Sequence, residues 1–323
     1  MTAMTASAAL LAKIAKPIAP KGVYCAMLAP FDAGYQIDLP PLIEHAKGLL
    51  ASGCAGLSML GSTGEGNSMT TRQRIAMIDA LVKAGLPANK FIPGTGAASL
   101  GDSVELTKHA VQAGCGGALV LPPYYYKNIG EEGIYASFAR LIDGVADARL
   151  RLYLYHIPQF TMVPIPRGVI ERLIEAYPGI VAGLKDSAGD WNYSRTLLER
   201  LPGFAVYPGS EIFLSRVKRA GGGGCISGTV NFTAPLAAQV YAATSEAEAD
   251  RLQKKLDAVR LVVEAKPLIP ALKAIKAQAS GQAGWNRVLP PFVTLSEKDR
   301  ADLFHALDAV LGRAGSGGWE MAA

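Results

Sequence analysis

Short apolar runs alternate with longer amphipathic segments along most of this chain. Glycine or proline bounds each run, and the segments between the runs have apolar positions at helical spacing. Such an alternation is typical of a parallel sheet wrapped by helices. The runs with strand character are residues 23–29, 56–60, 91–94, 118–121, 152–156, 180–185, 205–208 and 225–229. The pattern predicts an α/β fold, a (β/α)8 TIM barrel over residues 21–243.

The segments outside the barrel differ in their patterns. Helical periodicity continues beyond what a barrel of about 250 residues needs, at residues 246–264, 268–277 and 297–311. We therefore predict that residues 244–314 are a C-terminal helical appendage packed on the barrel. Residues 1–20 hold a short apolar stretch followed at once by lysines, which predicts a flexible N-terminal arm. Residues 315–323 are small and aperiodic, which predicts a frayed tail.

The charge balance and the spacing of the cysteines limit the partners and cofactors that we expect. The 32 basic and 27 acidic residues give a net charge of +5 without basic clusters, so we expect no nucleic-acid partner. No apolar run reaches the roughly 18 to 20 residues of a membrane-spanning helix, which favours a cytoplasmic protein without a membrane partner. The cysteines are far apart and lack metal-ligand spacing, so we expect reduced thiols and neither a metal ion nor an organic cofactor.

Lys185 is the first candidate for chemistry, because parallel barrels carry their working residues at the C-terminal ends of strands. It closes an otherwise uncharged run, and burial of an ammonium costs free energy unless the group is paired or its pKa falls. A lysine held there can attack a carbonyl as the free amine. The alternative is that Lys185 reaches solvent or pairs with Asp186.

Tyrosines end two neighbouring runs. Alternation places Tyr155 on the face opposite Leu154, where a phenol can pass protons beside a carbonyl–amine adduct. The alternative for Tyr155 is an ordinary half-buried strand tyrosine. His156 points to the other face by the same parity and is predicted to be a packed histidine. Residues 124–126 are three tyrosines at the same barrel face, suited either to the site or to packing at an interface.

The second run leads into a loop with the sequence Gly-Ser-Thr-Gly-Glu-Gly at residues 61–66. Small residues such as Gly61 let the backbone approach a ligand, and adjacent amides form a turn that can hold a carboxylate. Ser62 and Thr63 add hydroxyls that can join a proton relay. The alternative is a simple capped loop before the next helix.

Together these motifs resemble the dihydrodipicolinate synthase/N-acetylneuraminate lyase superfamily of class I pyruvate aldolases. The likeness extends from Gly22 to about Leu311. The motifs that carry it stand in the family's order, with Gly-Ser-Thr-Gly-Glu at 61–65, Pro-Tyr-Tyr at 123–125, Tyr-His-Ile-Pro at 155–158 and Gly-Leu-Lys-Asp at 183–186. The resemblance implies that Lys185 forms an imine with the keto carbon of pyruvate, and that Tyr155 shuttles protons.

The resemblance also implies roles for residues that periodicity does not single out. The Ser62–Thr63 turn would hold the pyruvate carboxylate, and Gly209 and Ile226 match positions that line the pyruvate pocket. Tyr125 matches a tyrosine that, in relatives, reaches the neighbouring subunit's site and joins the relay through Ser62. Relatives are usually homotetramers built as pairs of tight dimers.

Phe160 departs from the family pattern in a way that bears on the second substrate. Dihydrodipicolinate synthases carry at that place an arginine that grips the carboxylate of the aldehyde, and a phenyl ring cannot replace a guanidinium fork. We therefore predict a lyase that cleaves or dehydrates a 2-keto-3-deoxy acid, releasing or condensing pyruvate with an aldehyde. The alternatives are a dihydrodipicolinate synthase that condenses pyruvate with aspartate semialdehyde, with another cation replacing the arginine, and a non-catalytic pyruvate-binding barrel.

The loop residues that would recognise the aldehyde are Gln159, Phe160, residues 187–191 and Glu211. They match no branch of the superfamily that would identify the aldehyde. Asp190 and Glu211 either bind sugar hydroxyls or begin helices, since both open a helical segment.

Overall fold

Parallel strands surround a common axis in residues 5–312, the part of the chain that this computed structural model describes. The strands are β1 (Gly22–Ala26), β2 (Gly56–Ser58), β3 (Ala118–Val120), β4 (Leu152–His156), β5 (Val181–Asp186), β6 (Ala205–Pro208) and β7 (Gly224–Ser227). They form two arcs, with the orders β2-β1-β7 and β3-β4-β5-β6. Every pairing between them is parallel.

Residues 91–94 close the gap between β2 and β3. Isolated parallel bridges join Leu57 to Phe91 and Gly94 to Leu119. Pro93 accepts a hydrogen bond from the Leu119 amide at 2.8 Å but has no N–H to donate, which removes one ladder bond on the β3 side. The predicted (β/α)8 barrel is confirmed, with an irregular third strand position.

Helices form the outer layer and continue beyond the barrel. Their bounds are α1 (Ala8–Leu11), α2 (Leu39–Ala51), α3 (Thr71–Lys83), α4 (Leu100–Gln112), α5 (Glu131–Val145), α6 (Pro158–Thr161), α7 (Arg167–Ala176), α8 (Trp191–Arg200), α9 (Leu214–Arg219), α10 (Val230–Ala242), α11 (Glu246–Glu264), α12 (Leu268–Ser280) and α13 (Glu297–Leu311). Side-chain caps begin several of them, as the hydroxyls of Thr70, Ser245 and Ser296 accept from backbone amides of the first turn. In the described residues, no helix is both long and apolar enough to cross a membrane.

Tyrosines fill the interior of the barrel. The rings of Tyr24 and Tyr153 lie edge-on to Tyr207, with centroids 5.7 and 6.0 Å away. Glycine makes room for them, since a Cβ at Gly223 would lie 2.4 Å from the Tyr207 ring. Alternation along β4 then brings Tyr155 to the same inner face one layer closer to the C-terminal strand ends. This aromatic packing forms a solid base beneath the strand ends.

The N-terminal segment, for which the sequence predicts a flexible arm, contacts the barrel within residues 5–20. The Ala6 amide donates to the Arg200 carbonyl at 2.9 Å, and the Ala15 amide donates to the Val181 carbonyl at 3.1 Å. Ala15 and Ala19 are buried in the same cluster as the interior tyrosines. The contacts form because small side chains fit beneath the barrel interior. Residues 1–4, and the tail predicted for 315–323, lie outside the described residues.

Candidate active site

A cavity of about 470 Å³ opens at the C-terminal ends of the strands. Its walls come from the strand ends, from α6 and from the C-terminal helices. The residues that line it are Ser62, Thr63, Tyr155, Ile157, Gln159, Phe160, Lys185, Asp186, Ser187, Ala188, Gly189, Gly209, Ser210, Phe213, Gly228, Arg260, Glu264, Pro267, Leu268, Ile269, Pro270 and Phe292. Six residues predicted to react or to bind the keto acid are therefore brought together: Ser62, Thr63, Tyr155, Phe160, Lys185 and Gly209. Gln159 and residues 187–189 of the loops predicted to recognise the aldehyde line the same cavity.

Lys185 projects from β5 beside Tyr155 of β4, its partner in the strand register. The lysine is only 4% exposed, and its Nζ donates to the Tyr155 hydroxyl at 3.1 Å. Nζ also lies 4.3 Å from the centre of the Tyr155 ring. The ammonium thus has a phenol as its hydrogen-bonding neighbour at the inner end of the cavity.

Asp186 does not pair with Lys185, the alternative that its position in the sequence left open. Its Oδ2 accepts from the Ser194 hydroxyl at 2.7 Å, and its Oδ1 accepts from the Ala188 amide at 3.0 Å. Burial raises the pKa of this carboxyl, and the two hydrogen bonds oppose that shift. The carboxylate nearest to Lys185 in the sequence is thus hydrogen-bonded to α8 and to the loop before it.

Tyr155 connects Lys185 to the glycine-rich loop. Its hydroxyl lies 3.4 Å from Ser62 Oγ, so lysine, phenol and serine form a continuous chain. Burial alone would raise the pKa of the phenol, but the adjacent Lys185 ammonium and hydrogen bonds to the phenol oxygen lower it below the ordinary tyrosine value. A phenol with a lowered pKa is suited to accept and return protons.

The loop of residues 61–66 is a tight turn held by hydrogen bonds between its own backbone groups. The Glu65 amide donates to the Ser62 carbonyl and the Gly66 amide to the Gly61 carbonyl, both at 3.1 Å. A Cβ at Gly66 would lie 2.0 Å from the Leu60 carbonyl oxygen, so the turn requires glycine there. Ser62 and Thr63 face the cavity, whereas Gly61 lines a small crevice beside it with Ser62 and Tyr155.

Glu65 ties this turn to the C-terminal helices, a contact that the sequence pattern did not reveal. Its backbone is left-handed, with φ 56°, and its carboxylate is fully buried against the ammonium of Lys273 on α12. The same carboxylate accepts from the Leu289 amide, and Lys273 also donates to the Arg287 carbonyl. The only hint in the sequence is a glutamate between two glycines next to a buried strand.

Other predicted residues lie away from the cavity within this chain. Tyr125 is 71% exposed and contacts Tyr126 edge-on at 5.3 Å. Ile226 is buried in the barrel interior with Tyr24 and Tyr207 and does not line the cavity. The roles that the family resemblance implies for Tyr125 and Ile226 stay predictions.

The contacts of Asp190 and His156 show the role of each side chain. Asp190 begins α8, where its side chain accepts from the Asn192 amide at 2.9 Å, as a helix-start residue does. His156 is a packed histidine, since its Nδ1 accepts from the Ile165 amide at 3.1 Å and its ring stacks on Tyr193 at 4.3 Å. Burial lowers the pKa of His156 to about 4.

Glu211 begins a short 3-10 helix but is more than a helix-start residue. Its carboxylate is fully buried, accepts from the hydroxyls of Ser227 and Thr229, and pairs with Arg260 Nη1 at 3.2 Å. Arg260 in turn donates through Nη2 to Glu264, four residues later on α11. Arg260 and Glu264 line the cavity although they belong to the C-terminal helices, and the sequence offered only two charges at helical spacing to mark them.

Comparisons with known proteins extend over nearly the whole chain. The model of the dihydrodipicolinate synthetase family matches residues 19–310. An uncharacterized DapA-like lyase of Chloroflexus aurantiacus is 35% identical over 302 residues, which are 90% of this chain and 97% of the relative. Dihydrodipicolinate synthase from Agrobacterium tumefaciens has a similar structure, with a TM-score of 0.83 at 31% identity, and the match covers 90% of this chain and 99% of that one. The YagE protein of E. coli K12, solved in complex with pyruvate, shares the fold at 24% identity with a TM-score of 0.81, covering 90% and 98%.

Proposed function

We propose that this chain, which belongs to the dihydrodipicolinate synthetase family, cleaves or dehydrates a 2-keto-3-deoxy acid through a Schiff base on Lys185. Membership in the family and the lyase relative make the chain a pyruvate-dependent lyase of the class I aldolase type. The identity of the reacting residues and of the second substrate is the part that we propose.

One observation carries the proposal: a buried lysine ammonium meets a phenol at the inner end of the cavity. Lys185 Nζ lies 3.1 Å from the Tyr155 hydroxyl, and Ser62 extends the chain by a further 3.4 Å. A lowered pKa favours the phenolate of Tyr155, which can take a proton from the lysine ammonium and leave a free amine able to attack a keto carbon. This arrangement supports imine formation more directly than it supports simple binding of pyruvate.

In the proposed reaction, Tyr155 carries protons in several steps. The amine adds to the keto carbon, and the carbinolamine loses water to give an imine. In the cleavage direction Tyr155 accepts the proton of the 4-hydroxyl, the C3–C4 bond breaks, and its electrons enter the imine as an enamine. Protonation and hydrolysis of the enamine release pyruvate and regenerate Lys185. The Ser62–Thr63 turn would hold the pyruvate carboxylate throughout.

The synthase alternative requires a cation that replaces the missing arginine. Phe160 lies at the cavity mouth and is 62% exposed, and Arg260 is the guanidinium that lines the cavity. Arg260 is engaged by Glu211 and Glu264, so it offers no open fork to the carboxylate of aspartate semialdehyde. This supports a keto-deoxy acid over the synthase reaction.

A homotetramer in the cytoplasm is also part of the proposal. The exposed pair of Tyr125 and Tyr126 supports a subunit interface at the loop after β3, because large aromatic side chains are enriched at interfaces. The free and buried cysteines fit a reducing compartment.

Borohydride trapping with pyruvate tests the proposal. Reduction should inactivate the chain irreversibly and add the mass of a reduced pyruvate adduct to the peptide that carries Lys185. Lys273 is an internal control, since it is equally buried but paired with a carboxylate, and its peptide should stay unmodified. Absence of any adduct would favour the non-catalytic binding barrel. A screen of keto-deoxy acids for pyruvate release, with a coupled assay, then identifies the substrate.

A further inference from the structure

The end of the cavity formed by α11 carries an unusual balance of charge. Arg260 lies there between two carboxylates, Glu211 behind it and Glu264 beside it. Of these, Glu264 is at the C-terminal end of α11 and lines the cavity, and its side chain is 39% exposed. One positive and two negative formal charges leave this end of the cavity with one negative charge, and the exposed carboxylate carries it.

The Arg260 guanidinium is not open to a ligand. Nη1 donates to Glu211, and at 2.8 Å to both Ser227 Oγ and Thr229 Oγ1, while Nη2 donates to Glu264. Nε is buried from solvent and has no hydrogen-bond partner in the described residues. Arginine binds a carboxylate with two N–H groups, either those of the two Nη atoms or those of Nε and one Nη. In Arg260 neither pair is available to a substrate carboxylate in the cavity.

The exposed polar group at this end of the cavity suits substrate hydroxyls. Glu264 Oε1 accepts from Arg260, which leaves the exposed carboxylate with further acceptor capacity. Ser210, just after β6, also lines the cavity, but its hydroxyl is buried from solvent and has no hydrogen-bond partner in the described part of the chain. A carboxylate acceptor can bind substrate O–H groups, whereas an anionic substrate group would meet like charge.

We infer that Glu264 selects substrates whose aldehyde half is uncharged and bears hydroxyls, and that it rejects those whose aldehyde half ends in an anion. The inference rests on the proposed Schiff-base function, because Lys185 must hold the keto end while Glu264 meets the other. Glu264 acts on specificity and takes no part in bond cleavage. Arg260 positions it, since the guanidinium holds one carboxylate oxygen and leaves the rest of the group exposed.

Two substrates that differ at one carbon give the test. In 2-keto-3-deoxygluconate the far end is a hydroxymethyl group, and in 2-keto-3-deoxyglucarate it is a carboxylate. The measurement is the concentration of each acid that half-saturates formation of the intact-acid adduct on Lys185 under borohydride, which its mass distinguishes from the pyruvate adduct that cleavage would leave. The wild-type chain should trap the gluconate form at a concentration at least about tenfold lower, because the second carboxylate of the glucarate form would meet the like charge of Glu264.

The variant Glu264→Gln should shift this ratio toward the glucarate form by about tenfold, because it removes the charge and keeps a hydrogen-bonding amide. Glu248→Gln is the matched control, since Glu248 is an exposed glutamate in the first turn of the same helix, and it should leave the ratio unchanged. Trapping of pyruvate, which lacks the aldehyde half, should be equal in all three proteins.

The possible results distinguish a failure of this inference from a failure of the proposed Schiff-base function. Failure of pyruvate to form an adduct would overturn the Schiff-base proposal itself. If pyruvate is trapped but the two acids are trapped equally, if the glucarate form is favoured, or if neither acid is trapped, Glu264 does not select as inferred. An unchanged ratio in a folded Glu264→Gln protein would overturn it as well.

Discussion

Two lysines lie deep at the same end of this barrel but have different partners. Lys185 is 4% exposed and Lys273 is fully buried, and each ammonium lies over an aromatic ring, at 4.3 Å from Tyr155 and 4.2 Å from Phe31. Lys273 faces the Glu65 carboxylate and the Arg287 carbonyl, whereas Lys185 faces a phenol and a cavity. The two lysines are therefore alike in their depth of burial and in their contact with an aromatic ring. They differ in their hydrogen-bonding partner and in whether an open cavity lies beside the ammonium.

The difference shows how one fold can use the same side chain for structure and for chemistry. A buried ammonium with a carboxylate partner is held charged and ties two segments together, here the turn after β2 and helix α12. Burial still outweighs this attraction and lowers the pKa of Lys273 to about 8. A phenol partner can exchange a proton with the amine, and the adjacent cavity lets a carbonyl reach it. The predicted consequences differ accordingly for each lysine.

Replacement of Lys185 should have the largest effect. Lys185→Ala should abolish turnover and pyruvate trapping, since the imine has no other amine placed for it. Lys185→Arg should fail equally, because a guanidinium stays protonated and cannot attack. Steady-state assays and circular dichroism check both variants, and retained activity in a folded, clean preparation of Lys185→Ala would disprove the assignment.

Tyr155→Phe should slow catalysis by about 10²- to 10⁴-fold, the usual range for a lost acid–base group. Because Tyr155 accepts protons as the phenolate and its pKa lies below the ordinary tyrosine value, the wild-type rate should rise with pH at a lower pH than an ordinary tyrosine would require. The variant should lose this rise with pH along with the rate. A rate near that of the wild type would make Tyr155 a packing residue.

Lys273→Met should damage stability, because it leaves the Glu65 carboxylate buried without its partner. The cost is about 3–5 kcal/mol in the free energy of unfolding, measured with denaturant. Lys185→Met is the matched variant and should lower the free energy of unfolding much less, since removal of its ammonium leaves no buried carboxylate without a partner. The double variant Lys273→Met with Glu65→Gln should recover part of the loss. Equal destabilisation by the two lysine variants would break the comparison.

Ser62→Ala should have the smallest effect, a slowing of about tenfold, because the serine is one step further from the amine and contacts Tyr155 only at 3.4 Å. Its influence should appear as a higher phenol pKa in the pH–rate profile, since a hydrogen bond that lowers this pKa is lost. A loss as large as that of Tyr155→Phe would mean that the serine itself carries the proton.

The sequence by itself determined the repeating architecture and the inner part of the site. Strand and helix periods are local, so the runs located all eight strand positions, including the irregular one at residues 91–94. Alternation along a strand is equally local, and it placed Tyr155 inward and His156 outward before any contact was known. Lys185 was recognised for the same reason, as a single charge at the end of an apolar run.

Only the tertiary structure decided which distant groups meet. Glu65 and Lys273 are far apart in the chain, as are Glu211 and Arg260, and neither pair leaves a periodic signal that predicts contact. The N-terminal segment docks beneath the barrel because small side chains fit a space that the closed barrel creates. Local patterns report the face of an element on which a residue lies, whereas the partners of buried charges depend on how the whole barrel closes and on where the C-terminal helices pack.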